Sequence, residues 1–410
     1  MAKTITFQVT DACNLKCTYC YQTHKNNHSM PFDTAKHFID KILSTDDHEY
    51  YVNPETSMGC VIEFIGGEPL LEIDLIDKIT DYFISQLILK DHPWATRFRI
   101  SICSNGILYF DEKVQRYLKK HRDHLSFSIT IDGNKELHDS CRITVDGEGS
   151  YDIAMAAVND WRSLGNHMGS KITIAPQNVI YTFNAVKSMV ENDYDQININ
   201  CVFEEGWTYD HATILYYELK KLADYMINNS LLDTHDVSIF DENLFKPQDS
   251  TELQNWCGGN GSMIAIDYKG DIYPCIRYME SSLGGRQRPL KVGNVFDGIL
   301  KDPLDIKMFN ELEAIDRRSQ STDECFNCPI GAGCAWCTAY NYEVFGTPNK
   351  RATFICPMHK ARALANIYLW NKWYIKTGDK KVFKNYVPDN WALQIIPQEE
   401  LNMLKKLEER

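Results

Sequence analysis

Short apolar runs alternate with amphipathic stretches along the first half of the chain. The runs are rich in Ile, Val and Phe, and most of them alternate with polar positions, which predicts strands. Between them, apolar residues such as Ile76, Ile79, Phe83 and Leu87 recur at helical spacing. The predicted strands are 5–9, 61–65, 99–103, 125–131, 172–180 and 197–203, and the predicted helices are 33–43, 71–88, 112–120 and 153–164.

Six strand-then-helix units predict an α/β fold with parallel strands and right-handed crossovers. The pattern alone leaves open whether the sheet curves into a partial barrel or stays open as a doubly wound sheet. Downstream the pattern changes, and four regions follow. We expect a β/α region over 1–205, a helical bridging segment over 206–255, a cysteine-rich domain over 256–360, and a C-terminal helix with a charged tail over 361–410.

Charge and targeting signals narrow the function classes. The net charge of −13 argues against a general nucleic-acid or anionic-membrane surface, which needs clustered Lys and Arg. No apolar run approaches the roughly 18 residues of a membrane span. The start of the chain lacks the pattern of a secretory signal. We therefore expect a cytoplasmic protein with neither nucleic acid nor a membrane as its partner.

The chain has 14 cysteines, and they are clustered. Cytosolic thiols stay reduced, so clustered cysteines there are more often metal ligands or catalysts than disulfides. Four isolated ones are expected to be small buried apolar residues, namely Cys60, Cys103, Cys141 and Cys201. The others form an N-terminal triad, Cys13, Cys17 and Cys20, and a C-terminal group, Cys257, Cys275, Cys325, Cys328, Cys334, Cys337 and Cys356.

The triad follows the first predicted strand with the spacing C-x3-C-x2-C. A 4Fe–4S cluster usually takes four protein ligands, so three thiolates would leave one iron open, as a catalytic centre needs. A zinc site is the alternative, with His24 or His28 as the fourth ligand.

Polar, mostly glycine-bearing loops also follow the next three strands, where parallel β/α folds place their chemistry. They are Gly66-Gly67-Glu68-Pro69, Ser104-Asn105-Gly106 and Asp132-Gly133.

The cysteine triad, the GGEP sequence after the second strand and the order of the strand-end loops together resemble those of the radical S-adenosylmethionine (SAM) enzymes. The resemblance implies a partial (β/α)6 barrel that holds a 4Fe–4S cluster with one open iron. That iron binds SAM, and cleavage of the bound SAM yields a 5′-deoxyadenosyl radical. Cys13, Cys17 and Cys20 would then hold the radical-generating cluster. The SAM contacts implied by position are Tyr19 (adenine), Gly66, Gly67 and Glu68 (amino group), Ser104 and Asn105 (ribose), and Thr130 and Arg142 (ribose and carboxylate).

The C-terminal cysteines resemble the auxiliary-cluster extension called SPASM, with two zinc ribbons as the alternative. The resemblance implies one cluster on Cys325, Cys328, Cys334 and Cys356 and another on Cys257, Cys275 and Cys337, hence three 4Fe–4S clusters in all. Two departures matter. The last spacing is C-x2-C rather than C-x3-C, and Met263 stands where some relatives have a cysteine. The second of these clusters would then keep an open iron, unless a fourth ligand lies elsewhere.

Enzymes of this type resemble either sulfatase maturases or maturases of ribosomally made peptides. Sulfatase maturases carry an Asp after the cysteine that Cys275 matches, whereas this chain has Ile276 and Arg277. We therefore expect thioether formation in a cysteine-containing precursor peptide, with flavodoxin or ferredoxin as electron donor. The chain enters its first strand within about ten residues, so leader recognition is expected from 206–255 or a separate protein. A non-catalytic iron–sulfur or zinc module is the remaining alternative, and no residue is singled out as a base.

Overall fold

A computed structural model of the protein describes residues 3–23, 25–44, 58–204, 206–240, 257, 259, 263–299, 303–331, 334–378 and 388–409. The first four strands are parallel, and each is followed by helical structure. The strands are β1 Lys3–Thr10, β2 Cys60–Gly66, β3 Phe98–Ser104, β4 Leu125–Ile129, β5 Ser170–Ile174, β6 Gln196–Cys201, β7 Asp236–Val237, β8 Met263–Ile266, β9 Asp271–Tyr273, β10 Gly293–Asn294 and β11 Gly298–Ile299.

The first seven of the described helices connect the strands up to β7, and the last seven follow β11. They are α1 Phe32–Ile42, α2 Ile73–Leu89, α3 Glu112–Lys120, α4 Lys135–Cys141, α5 Tyr151–Ser163, α6 Thr182–Glu191, α7 Tyr209–Asn228, α8 Pro303–Glu313, α9 Arg317–Gln320, α10 Asp323–Phe326, α11 Thr338–Phe345, α12 Cys356–Thr377, α13 Asp389–Ala392 and α14 Gln398–Glu408. Among the described helices, none is long and apolar enough to cross a bilayer.

Alternation along the strands separates an apolar outer face from a polar inner face. Ile5, Ile62, Ile100 and Leu125 stand side by side in register and are buried. The next row across the same strands is polar and consists of Thr6, Glu63, Ser101 and Ser126. Phe7 packs edge-on against Phe38 of α1 at 5.5 Å, which places the apolar face under the helices. The polar row therefore lines the inside of the curve.

The predicted α/β class with parallel strands is confirmed, but the described strands form two sheets. One has the order β11-β10-β9-β8-β1-β2-β3-β4, and the other is β5-β6-β7. Thus β8, from the cysteine-rich region, pairs in parallel with β1, with Phe7 opposite Ile266. Between β4 and β5 lies a cavity of about 560 Å³ lined by polar side chains of both sheets.

Three regions of the fold differ from what the pattern predicted or add to it. The predicted strand 172–180 stops at Ile174, because Pro176 begins a 3-10 helix, Pro176–Tyr181. In the bridging segment, β7 pairs with β6 and α7 packs against α12, while 241–256 lie outside the described residues. In the predicted tail, α14 is a helix that reaches α7 through Glu400, which accepts a hydrogen bond from the Tyr216 hydroxyl at 2.6 Å.

Candidate active site and cysteine sets

The triad loop is fixed at both ends by backbone hydrogen bonds. On one side the amides of Gly67 and Glu68 donate to the carbonyls of Thr10 (3.1 Å) and Ala12 (2.8 Å), which ties the loop to the end of β2. On the other side Lys16 and Thr18 donate to Ile143 (2.8 Å) and Cys141 (2.9 Å), at the end of α4. The position of the three thiols is therefore set by the barrel rather than by the loop alone.

Burial makes two of the triad thiols, those of Cys13 and Cys17, reluctant to ionise. It raises the pKa of Cys17 to about 11, against the opposing effect of the Arg142 charge. It also raises the pKa of Cys13, whose sulfur accepts the amide hydrogen of Leu15 at 3.4 Å. The charge of Cys20 raises the pKa of both thiols, and that of Cys13 raises the pKa of Cys17. Such a site becomes a set of thiolates when a metal centre supplies positive charge.

The two glycines after β2 are required by the close approach of the triad loop. A Cβ on Gly67 would lie 2.2 Å from the carbonyl oxygen of Ala12 and 2.7 Å from the Cβ of Cys13. A Cβ on Gly66 would lie 2.6 Å from the carbonyl oxygen of Thr10. Only glycine lets the two loops touch in this way.

Glu68 is buried and joins the ends of β2 and β3. Its carboxylate accepts hydrogen bonds from the Ser104 hydroxyl (2.8 Å) and from the amides of Asn105 (2.9 Å) and Leu70 (3.2 Å). Asn105 in turn donates to Asn14 of the triad loop at 2.6 Å. The structure therefore brings Glu68, Ser104 and Asn105 together beside the triad, as the strand-end pattern indicated, with Glu68 already engaged in holding them.

Arg142, Tyr19 and Asp132 form a buried polar group on the other side of the triad. Arg142 Nε donates to Asp132 at 2.8 Å, and its Nη1 lies 3.9 Å from the sulfur of Cys17. The Tyr19 hydroxyl donates to the same carboxylate, which also accepts the amide of Thr173 at 3.1 Å. Sequence reasoning placed Asp132 in a strand-end loop but did not identify it as the partner of Tyr19 and Arg142.

Thr130 and Cys103 lie on neighbouring strand ends, with the Thr130 hydroxyl 3.4 Å from the Cys103 sulfur. The expectation that Cys103 is buried is wrong: it is exposed, whereas Cys60, Cys141 and Cys201 are buried as expected. Cys103 is exposed because alternate positions of β3 face the polar interior. None of the 14 cysteines, all of them in the described part, forms a disulfide.

Cys257, Cys275 and Cys337, the three-cysteine set, come together from distant parts of the chain. A Cβ on Gly259 would lie 3.5 Å from the sulfur of Cys257 and 3.8 Å from that of Cys275. Burial raises the pKa of Cys275, and the charges of Cys257 and Cys337 raise it further. Thr338, next to Cys337, places its hydroxyl 3.2 Å from the Cys257 sulfur.

Cys325, Cys328, Cys334 and Cys356, the four-cysteine set, surround a buried arginine. Burial raises the pKa of Cys334 to about 12, which the Arg351 charge opposes and the other three thiols reinforce. Arg351 Nη1 lies 3.6 Å from the Cys325 sulfur, and its Nη2 donates to the Gly331 carbonyl at 3.0 Å and to that of Cys334. Sequence reasoning missed Arg351, which no spacing rule marks.

The spacing of the thiols decides between zinc and a larger centre. A tetrahedral zinc holds thiolates about 3.8 Å apart, since each Zn–S bond is about 2.3 Å. Among the described side chains, the group whose ligand atoms all lie within 4.8 Å of one another is Asp77, Asp81 and His121, and Lys120 already pairs with both carboxylates. The cysteine sets are more widely spaced, which suits an iron–sulfur cluster. Trp336 Nε1, buried without a hydrogen-bond partner, offers a donor to such a centre.

The loops that carry the triad and the three-cysteine set lie against each other, and we call the region where they meet the chamber. Tyr21, one residue past the triad, has its ring 4.9 Å from the guanidinium of Arg277, which follows Cys275 by two residues. Burial has the largest effect on the pKa of Tyr21 and raises it. The charge of Arg277 lowers this pKa, whereas the charges of Cys20, Glu63 and Cys103 raise it. Tyr21 therefore connects the triad loop with the inner polar row and with the three-cysteine set.

Comparison with known families agrees with this geometry. Residues 7–179 match the model described as the radical SAM superfamily, and residues 257–329 match SPASM, described as an iron–sulfur cluster-binding domain.

Individual relatives align with most of this chain at low sequence identity. The radical SAM cyclopropyl synthase TigE of Paramaledivibacter caminithermalis is 22% identical over 81% of this chain and 67% of its own. The serine-type anaerobic sulfatase-maturating enzyme of Bacteroides thetaiotaomicron is 21% identical over 78% of each chain. Among solved structures, Streptococcus suis SuiB bound to the precursor peptide SuiA superposes with a TM-score of 0.58 at 16% identity, over 86% of this chain and 76% of that one. The last likeness shows the fold.

Proposed function

We propose that this chain, which carries a radical SAM domain over residues 7–179 and a SPASM domain over residues 257–329, forms thioether crosslinks in a ribosomally made, cysteine-containing peptide. One observation carries the proposal: Tyr21, one residue past the triad, and Arg277, two residues past Cys275, lie 4.9 Å apart, so the loops of the triad and the three-cysteine set are neighbours. A peptide in this chamber would meet both sets at once.

The proposed cofactors are SAM and three 4Fe–4S clusters. Cys13, Cys17 and Cys20 would hold the SAM cluster, and the three- and four-cysteine sets the auxiliary clusters. Because the three-cysteine set has only three thiols, its cluster would keep one iron open to a thiol of the peptide. The cluster with SAM supplies, when bound, a carbon-centred radical that removes a hydrogen atom from the substrate. An external donor such as flavodoxin or ferredoxin would deliver the electron that starts each turnover.

The residues of the chain have distinct tasks in this proposal. Gly66 and Gly67 let the two loops meet, and Glu68 holds the end of β3 with Ser104 and Asn105 against the triad. Tyr19 and Arg142 are fixed on Asp132, so the wall beside Cys17 is preorganised. Thr130 faces the interior beside Cys103. Joining a thiol sulfur to a carbon removes two hydrogens from the peptide: one would pass as an atom to the SAM-derived radical, the other would leave as a proton, and the auxiliary clusters would accept the released electron.

Two measurements test the proposal. Reconstituted protein reduced with dithionite and given SAM should release 5′-deoxyadenosine. Coexpression with a short cysteine-repeat peptide encoded beside the gene should remove two hydrogens per crosslink and make the same number of cysteines resistant to iodoacetamide. A peptide of unchanged mass, made with protein that cleaves SAM, would exclude thioether formation.

Sulfatase maturation is the second candidate, favoured by the similarity to the sulfatase-maturating enzyme over 78% of the chain. A peptide bearing a sulfatase serine or cysteine site should then gain a hydrazide-reactive aldehyde. Hydrazide labelling without loss of alkylatable cysteine in the repeat peptide would favour this candidate over crosslinking.

A further inference from the structure

Arg277 occupies a defined position in the chamber. It lies in the short 3-10 turn Ile276–Tyr278 that follows Cys275. Its guanidinium stands between two aromatic rings, 4.9 Å from that of Tyr21 and 5.9 Å from that of Tyr340. The side chain is 17% exposed, so it is held by the protein and still reaches the chamber.

The described hydrogen bond of Arg277 uses only part of its guanidinium. Nη2 donates to Glu204 Oε1 at 2.8 Å, and a guanidinium has several further N–H donors in a planar fork. None of the buried side-chain nitrogens without a partner, within the described ranges, belongs to Arg277. Its remaining donors are therefore open to the chamber rather than sealed in the protein.

The ion pair with Glu204 is one that a ligand can replace. Glu204 follows β6, and its side chain is 39% exposed. Ion pairs with this much access to water contribute little, about 0–1 kcal/mol. A carboxylate that enters the chamber can take both free N–H groups of the fork, because this geometry matches a carboxylate in a bidentate manner. The two aromatic rings keep the guanidinium plane in place.

We propose that Arg277 binds a carboxylate of the substrate, so that the peptide carries an acidic side chain or its own C-terminal carboxylate near the residue that reacts. The identity of the reaction rests on the proposed function, whereas the carboxylate preference is a property of binding. Glu204 competes with the substrate for Arg277 and keeps the cation neutralised while the chamber is empty.

Anaerobic titration of the cluster-loaded protein with three fluorescent peptides of one sequence tests this. The first carries an internal Asp with an amidated end, the second an Asn in its place, and the third the Asn with a free C-terminal carboxylate. We expect the Asp or the free-carboxylate peptide to bind about 10-fold or more tightly than the amidated Asn peptide, the value of one charge-assisted hydrogen bond. Which of the two binds better distinguishes a side-chain from a terminal carboxylate.

Variants assign the preference to Arg277. Arg277→Gln should reduce the ratio of affinities to about 1, Arg277→Lys should keep part of it, and Glu204→Gln should increase it. Arg162→Gln is the matched control, since Arg162 caps the Asn192 carbonyl on the outside of the fold. If Arg277→Gln loads less iron than the unchanged protein, the other two variants still test the assignment. Arg277→Lys should then lower the ratio of affinities and Glu204→Gln should raise it. Equal binding of all three peptides, no binding of any, or a preference kept in Arg277→Gln would overturn the assignment. Loss of crosslinking with the preference intact would instead count against the proposed reaction.

Discussion

The triad and the four-cysteine set each have a buried arginine beside a thiol, but the two arginines are neutralised differently. Arg142 lies 3.9 Å from the Cys17 sulfur and pairs with Asp132, which is fully buried. Arg351 lies 3.6 Å from the Cys325 sulfur, and no acidic side chain among the described residues is within ion-pair distance of it. It donates to carbonyls instead and stacks on Trp336 at 3.9 Å.

This difference relates to the tasks proposed for the two sites. Around the triad, a neutral Arg–Asp pair leaves the charge of the site to be set by what binds there. Around the four-cysteine set, the uncompensated cation is itself a counter-charge for thiolates, which suits a permanently filled and closed centre. A buried cation of this kind costs free energy unless anions surround it. The five predictions below test that contrast, beginning with the largest expected effect.

Changing Cys13, Cys17 and Cys20 together to Ala should abolish release of 5′-deoxyadenosine from reduced, reconstituted protein. The iron content should fall by about four atoms per chain, one 4Fe–4S cluster, while the C-terminal iron remains. Iron analysis and chromatography of the nucleoside measure both. Cys60→Ala is the control, because Cys60 is buried at the start of β2 and should change neither value. Nucleoside release by the triple variant would contradict the assignment.

Arg142→Met should lower the free energy of unfolding by about 3–5 kcal/mol, because it leaves the charge of Asp132 buried without a cation. Anaerobic urea unfolding measures the loss. The double change Arg142→Met with Asp132→Asn removes both charges and should recover a large part of it. A single variant as stable as the double one would show that Asp132 does not need Arg142.

Gly67→Ala should reduce SAM cleavage about 10-fold or more, because the added Cβ must push Cys13 out of position and small displacements of reacting groups are costly. The rate of nucleoside release at saturating SAM checks this. Gly169→Ala is the matched control, since no atom lies within 4 Å of its added Cβ. Equal rates in the two variants would remove the argument for a tight approach.

Arg351→Met should cost less than Arg142→Met, about 1–3 kcal/mol, because it leaves carbonyls rather than a carboxylate without a donor. Its larger effect should be faster loss of C-terminal iron to a chelator, followed by absorbance. Arg318→Met serves as control, since it breaks an exposed pair with Asp323 and should change stability by less than about 0.5 kcal/mol. A stability loss equal to that of Arg142→Met would erase the contrast.

The most gradual effect, spread over about two pH units rather than seen in one step, is expected at the turn between β8 and β9, in the sheet that joins the two regions. Burial, reinforced by Asp271, raises the pKa of Asp267 from 3.8 to about 6. Between these two values the folded chain keeps a proton that the unfolded chain has lost. The free energy of unfolding should therefore fall as pH rises through this window, by at most about 1.4 kcal/mol per pH unit. Urea titrations from pH 4 to pH 7 should show this slope, and Asp267→Asn should remove it.

Local patterns predicted the parallel strands of the first half and the clustering of the cysteines, because each depends on residues close in sequence, whereas the pairing of β8 with β1 depends on the fold. The spacing of Cys325 and Cys328, or the glycines after β2, is visible without a structure. The partners of the cysteines were not visible, since Arg351 is 26 residues from Cys325 and Arg142 is 125 from Cys17. Only the fold brings such pairs together. The strand predicted over 172–180 was wrong because apolar residues of a 3-10 helix, such as Val179, mimic a strand when Pro176 is ignored.

The parallel ladder between β1 and β8 makes the two halves of the molecule inseparable. Backbone groups of β1 that would otherwise form the edge of the N-terminal sheet are satisfied by Met263–Ile266, so a fragment cut before β8 would leave β1 paired only with β2 and open along its other side. The same register sets the separation between the triad loop and Cys275, and inserting one residue in either strand would shift it by about 3.3 Å. Exchange of SPASM regions between relatives should therefore succeed only when β1 and β8 are transferred as a pair.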